Sequence, residues 1–323
     1  MLINKLQKID AAALADVNED AAQILTNVVM AYKAIMSARA TMDAQGHHDQ
    51  PLHIVIGEQH QRPAHKIFQS LLIKTLSQSD DSGVLAVGLE NDRTIGNCDS
   101  SLFKIKAALR KATNKSDSAI NPKTPAMLNN YLDYHFTNDS YYATHQLISQ
   151  LLGSSAHIAT EFNDACFNTG RSHISESEKY TASCVNEAKG LGHTNLEATS
   201  EDGMFIRNLC MTKRIDEMAT EYNARLSVQI CGQGHVNGLK DIWSHETSIS
   251  AIHKNKDRAF LSIFTASDAA HLTGLSPAQY FVCAPMSLYQ ARYAPAEAEG
   301  GVHRAEQTKE INFVNAINRL LDI

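Results

Sequence analysis

The apolar residues Leu52, Ile54, Val55 and Ile56 follow one another almost without interruption and stop at Gly57, where Glu58 and His60 follow at once. A run that is apolar at nearly every position, and not at every second one, is the pattern of a strand covered on both faces in a parallel sheet. Pro63 then stands where a helix opens, and Ile67, Phe68, Leu71, Leu72 and Leu76 recur at helical spacing to about Ser77. Residues 84–89 repeat the strand pattern and end on Glu90, which predicts a parallel pair joined by a right-handed crossover. A short third strand over 157–160 precedes Glu161. A fourth over 226–231 runs into Gly232-Gln233-Gly234-His235, a second copy of the strand, glycine and histidine arrangement, and a helix over 236–243 follows. Further strands are expected over 249–252, 260–264 and, more weakly, 280–283.

Helical periodicity fills much of the remainder. Ile24, Leu25, Val28, Val29, Tyr32, Ile35 and Met36 share one face of a helical arm within residues 1–46. Packing onto the main domain is the first reading of that face, with a partner-binding or membrane-surface helix as the alternative. The histidines in Gln45-Gly46-His47-His48 belong to a solvated loop that breaks the helix. Residues 47–323 form a single α/β domain with a helical insertion at about 95–152, too long and too polar for a simple crossover. The polar stretch 169–199 is expected to be a mobile loop containing a poor helix. An amphipathic helix over 201–224 carries Phe205, Ile206, Leu209, Ile215 and Met218 together with Arg207, and residues 311–321 close the chain with another. The expected fold is therefore α/β, three-layered, with a mainly parallel sheet.

Composition narrows the function classes. Apolar residues make up 43% and charged residues 20%, the balance of a soluble globular protein. The net charge of −6 has no basic stripe, which excludes an electrostatic nucleic-acid footprint. No apolar run is long enough for a membrane span, and the N-terminus has no secretory signal pattern. A cytoplasmic location, or export without a classical signal, is expected. The six cysteines contain no C-x-x-C pair and read as reduced, partly buried thiols.

Strand C-termini share one edge of a parallel sheet, so Glu58, Glu90 and Glu161 can converge there with His60 and His235. Imidazole is the side chain best placed for proton transfer near neutral pH, and a carboxylate beside it can fix its tautomer or join it on a metal. Gly57, Gly232 and Gly234 would let the backbone turn tightly and approach a bound group. No G-x-S-x-G elbow is present, which argues against a serine hydrolase of the usual α/β type. The glycines at 232, 234 and 238 imitate a dinucleotide loop only loosely, because His235 stands in the phosphate path. Cys231 lies within an apolar strand and reads as a buried thiol.

Gly57-Glu58-Gln59-His60, with Pro63, His65 and Gln69 behind it, resembles the first motif of the erythromycin-esterase/ChaN-like superfamily, which also takes in TraB/TIKI-type proteins; the ChaN branch is the most similar. Glu90, Arg207-Asn208 with Met211, and Gly232-Gln233-Gly234-His235 match its later motifs in order, over roughly residues 52–240. Members are described as esterases that open macrolide lactones, as metal-dependent proteases and as haem-binding proteins. The chain departs from the ChaN branch in lacking its lipoprotein signal and lipid-anchoring cysteine, which argues against periplasmic haem handling. The resemblance implies a site with Glu58, His60, Glu90, Arg207 and His235 and leaves the reaction open; the leading expectation is a hydrolase of an ester or amide, with a small-molecule or peptide-like substrate. Arg62, His65 and Glu161 support the site.

Two versions of the chemistry follow. In the metal-free one, His60 takes a proton from water, Glu58 orients it, Arg207 stabilises the oxyanion and His235 assists the leaving group. In the other, His60 and His235 join Glu90 or Glu161 around a divalent metal. A metal-free or weakly metal-dependent site is favoured, since the histidines lie on separate elements and no H-E-x-x-H helix is present. A haem- or metal-binding protein using the same histidines, and an inactive family member acting as an interaction module, are the alternatives.

Overall fold

The computed structural model describes residues 2–8, 19–59, 63–78, 84–90, 158–165, 173–176, 179–244, 259–265 and 279–286 of the 323-residue chain. Their elements in order are α1 (Leu2–Lys8), α2 (Glu19–Ala44), β1 (Leu52–Glu58), α3 (Pro63–Ser77), β2 (Leu85–Leu89), β3 (Ile158–Phe162), α4 (Lys179–Gly190), α5 (Glu201–Glu221), β4 (Leu226–Gly232), a 3-10 turn (Gln233–His235), α6 (Val236–Ser244), β5 (Phe260–Phe264) and β6 (Tyr280–Val282). The expected helical insertion, the strand over 249–252 and the C-terminal helix lie outside the described residues.

The six strands form one sheet in the order β3-β2-β4-β1-β5-β6, and every pairing is parallel. This is the α/β architecture that the apolar strand runs predict. One detail differs. β1 and β2 are parallel but not neighbours, because β4 lies between them and pairs with both. A crossover fixes handedness and direction, and it leaves room for a later strand to insert.

Alternation along the strands divides the core. Ile54 and Ile56 of β1, Leu85, Val87 and Leu89 of β2, and Val228 and Ile230 of β4 pack with α2 and α3 on one face. Val55, Ala86 and Cys231 pack with Met211, Ile215 and Met218 of α5 and with Val236, Leu239 and Trp243 of α6 on the other. Outside α5 lies α4, with Cys184, Val185 and Ala188 against Ile206, Leu209 and Cys210. The stretch expected to be a mobile loop thus holds a 12-residue helix. Its mean composition is polar, but Thr181, Cys184, Val185 and Ala188 gather on one side and are buried.

α2 buries Ile24, Leu25, Val28, Ala31, Ile35 and Met42 in the same core as β1 and α3. Its exit is tied down by Arg39, which donates to Asp43 Oδ1 at 2.6 Å, to the carbonyls of His47 at 3.0 Å and His48 at 2.9 Å, and to that of Gln50. These contacts satisfy carbonyls of the loop leading into β1.

The topology also fixes where a ligand would sit. The helix after β1 lies on one face and the helix after β4 on the other, yet β1 and β4 are neighbours. That is the switch point of an open sheet, and its C-terminal edge is the crevice such folds use for ligands.

Candidate functional site

The two strand-glycine motifs, remote in sequence, are adjacent in space. β1 and β4 run in register with Gly57 opposite Cys231 and Glu58 opposite Gly232. Gly57 is needed here for space and not for an unusual turn. A Cβ on it would lie 2.6 Å from Val236 Cγ2, so the missing side chain lets the first residue of α6 settle against the end of β1. Among the described glycines only Gly46 and Gly192 have positive φ. Gly57, Gly232 and Gly234 therefore do not supply the special backbone turns expected of them.

Glu90 is the centre of the cluster that forms at this edge. It is 4% exposed, and its backbone N–H continues the sheet to Ile230 O at 3.0 Å. Alternation from Ala86 aims its side chain at α5. There Arg207 Nη2 donates to Glu90 Oε1 at 2.6 Å, and the Gly232 N–H donates to Glu90 Oε2. His235 Nε2 lies 3.1 Å from Glu90 Oε1, while its Nδ1 stands 2.6 Å from Asn208 Oδ1. With the Asn208 oxygen accepting from Nδ1–H, Nε2 faces the Glu90 carboxylate.

Arg207 is shared. Its Nε donates to Asp164 Oδ1 at 3.0 Å and its Nη2 to Asp164 Oδ2 at 3.0 Å, a two-pronged pairing of the kind the guanidinium fork favours. Nη1 reaches Ala198 O at 3.4 Å. One buried guanidinium thus joins the ends of β2 and β3 to α5. Arg207 does not stand open as an oxyanion donor, as the sequence suggested; it holds Glu90.

Beneath this layer Asn163 and Gln229 exchange amide hydrogen bonds of 2.6 and 3.1 Å across β2. They pass over Gly88, where a Cβ would lie 2.3 Å from both side chains. The absent side chain in β2 is what lets β3 and β4 make this contact.

Glu58 lies apart from the Glu90 cluster. Ile54, Ile56 and Glu58 share one parity, so Glu58 faces α3, where Gln69 Nε2 donates to its Oε2 at 2.6 Å. Both carboxylates nevertheless flank the end of β4. Burial first, and then Glu90 and Glu58, push the Cys231 thiol well above its ordinary range. This suits a buried neutral thiol and not a nucleophile.

His65 is fully buried on α3 and accepts at Nδ1 from the Gln59 N–H at 3.2 Å, with Thr265 Oγ1 3.1 Å away. Thr265 Oγ1 also lies 2.6 Å from Gly57 O, to which it donates. His65 thereby fixes the exit of β1 from the side.

Glu161 falls inside β3 and not after it, since that strand extends to Phe162. The Glu161 side chain lies outside the described residues, as do His60 and Arg62. Among the described residues no group of three or more His, Cys, Asp or Glu side chains is arranged to hold a metal ion.

Of the sequence candidates, Glu90, Arg207, His235 and Gly232 come together, while Glu58, Gly57 and His65 form a second layer at the adjoining strand end. Asp164 and Asn208 were missed as site residues. The available signal was Arg207 itself: a cation within a largely apolar helix face requires buried carboxylates, and Asp164 lies two residues beyond β3.

The fold and cluster define an open parallel-sheet α/β protein with a buried Glu–Arg–Asp–His network at its switch point. No protein-family model, curated protein or solved structure matches the chain.

Proposed function

We propose that the chain is a hydrolase acting on an ester or amide, with water activated by a histidine/glutamate site at the C-terminal edge of β1 and β4. The observation that carries this reading is the convergence of Glu90, Arg207 and His235 beside the sheet's switch point. Burying such charged groups opposes stability unless every contact is made, and clusters of this kind at clefts concentrate at functional sites. The motif resemblance points to the same edge.

In this scheme His60, two residues beyond β1, is the base that takes a proton from water; its part rests on the sequence. Glu58, held by Gln69, supports that strand end. In the scheme His235 donates a proton to a leaving alkoxide or amine once its Nε2 turns from Glu90, and Arg207 with the Gly232 N–H keeps Glu90 in place. Both nitrogens of His235 are engaged by protein groups, so ligation of haem iron or a divalent metal by this ring requires one contact to break. Proton donation from Nε2 needs the same release from Glu90, with Nδ1 still held by Asn208.

The test is hydrolysis of a panel of aryl esters and aryl amides by the full chain, with and without a metal chelator. Turnover that survives chelation and disappears in His60→Ala supports the scheme. Undiminished turnover in His60→Ala, or no turnover of any panel member by the unaltered chain, contradicts it.

A further inference from the structure

We propose that Thr265, at the exit of β5, is a positioning residue for the hydrolytic site: its hydroxyl holds the end of β1 and so fixes the backbone that leads into His60. The inference rests on the reading of His60 as the base. Thr265 belongs to none of the sequence motifs and lies beyond residues 52–240, the stretch that carries the resemblance.

Three successive residues ahead of His60 are each held by a buried polar side chain. Gly57 O accepts from Thr265 Oγ1 at 2.6 Å. The Glu58 carboxylate accepts from Gln69 Nε2 at 2.6 Å. The Gln59 N–H donates to His65 Nδ1 at 3.2 Å. Thr265 Oγ1 also stands 3.1 Å from that same ring nitrogen. One hydroxyl therefore touches Gly57 directly and Gln59 through His65. His65, Gln69 and Thr265 are all buried, so protein groups and not bulk water set these contacts.

Ending the strand does not require this hydroxyl. β5 pairs with β1 as far as Phe264 opposite Gly57, and the Thr265 N–H already reaches Gly57 O at 3.3 Å. The hydroxyl adds a second, shorter donor to that oxygen and a contact with the ring that receives Gln59. Peptide units are planar. With the Glu58–Gln59 unit held at its N–H, only the two dihedrals of Gln59 separate it from the unit that carries the His60 N–H. A base must lie within hydrogen-bond reach of the proton it takes, and a misplacement of about 1 Å can cost on the order of 100-fold in rate. Holding the last fixed peptide before the base is therefore worth a buried hydroxyl.

The experiment measures kcat and KM separately for the full chain, Thr265→Val and Thr265→Ser, on an aryl ester or amide that the unaltered chain turns over. Rates are referred to the folded fraction of each protein. Valine replaces the hydroxyl by a methyl of similar size, and serine keeps the hydroxyl. The expected result for Thr265→Val is a kcat lower by about tenfold or more with KM within about twofold, and Thr265→Ser recovers most of the loss. Thr265→Val with the kcat of the unaltered chain overturns the proposal and leaves the hydrolytic reading standing. An unaltered chain that turns over no panel member, or undiminished turnover in His60→Ala, removes that reading and this proposal together. Amide hydrogen exchange at Gln59 gives a readout without turnover: slow in the unaltered chain and Thr265→Ser, faster in Thr265→Val. Exchange at the open-peptide rate in the unaltered chain overturns the proposal even where the valine variant does not fold.

Discussion

Glu90 and His235 are 145 positions apart in the chain, and Glu90 Oε1 lies 3.1 Å from His235 Nε2. The contact exists because β4 inserts beside β2 and delivers its following turn to the same edge. Arg207 then completes the arrangement from α5, 2.6 Å from the same oxygen.

Arg207→Met should be severely destabilising. The substitution preserves much of the side chain's volume but leaves Glu90 and Asp164 buried without their shared cation. Breaking a buried pair by removing one partner costs about 3–5 kcal/mol. Denaturant unfolding at neutral pH would show this as a lowered midpoint. A midpoint within experimental scatter of the unaltered chain would mean that the network carries little of the fold.

Gly238→Ala probes the support of His235 without touching it. A Cβ at this position of α6 would stand 1.9 Å from Asn208 Nδ2, so the amide must swing away. That movement takes its oxygen from His235 Nδ1. The expected result is a loss of hydrolytic turnover of at least about tenfold. The stability loss should be about 1–3 kcal/mol, the usual cost of overpacking. An unchanged rate would separate Asn208 from the chemistry.

The acid limb of stability should report on Asp43, which links α2 to the loop before β4. Hydrogen bonding from Arg39, with Arg225 assisting, lowers its carboxyl from 3.8 to about 2. A carboxyl depressed in the folded state contributes stability above its unfolded pKa and loses it as pH falls through the folded value. Asp43→Asn should therefore flatten the pH dependence of unfolding free energy between about 4 and 2, while leaving its shape at higher pH unchanged. An unaltered slope in that window would place the acid sensitivity elsewhere.

The strands were legible because burial on both faces leaves a mark that needs no partner to read: Leu52, Ile54, Val55 and Ile56 are all core residues. The pairing of the two glycine motifs was legible from their repetition. Which face each strand-end carboxylate would take was not. Glu58 and Glu90 both follow apolar runs, but strand parity sends one toward Gln69 and the other toward Arg207. Parity depends on where each strand leaves the sheet, and β1 continues through Gly57 to Glu58 instead of stopping at the glycine. Asp164 and Asn208 escaped for a related reason. Each acts through a partner on another element, Arg207 for one and His235 for the other; Arg207 on an apolar face shows that a carboxylate is needed but not which one, and the motif that includes Asn208 does not give its partner. The helix at Lys179–Gly190 was obscured by its polar side, although the spacing of Thr181, Cys184, Val185 and Ala188 contains the buried stripe.

The central claim is that His235, held between Asn208 and Glu90, takes part in hydrolysis. The direct measurement is kcat/KM for an ester or amide turned over by the unaltered chain, compared with His235→Ala, with the unfolding transition of each recorded in parallel. The account predicts a fall of about 100-fold or more, the scale of a lost proton-transfer group, in a variant that still unfolds cooperatively. Full activity in a folded His235→Ala protein would contradict it.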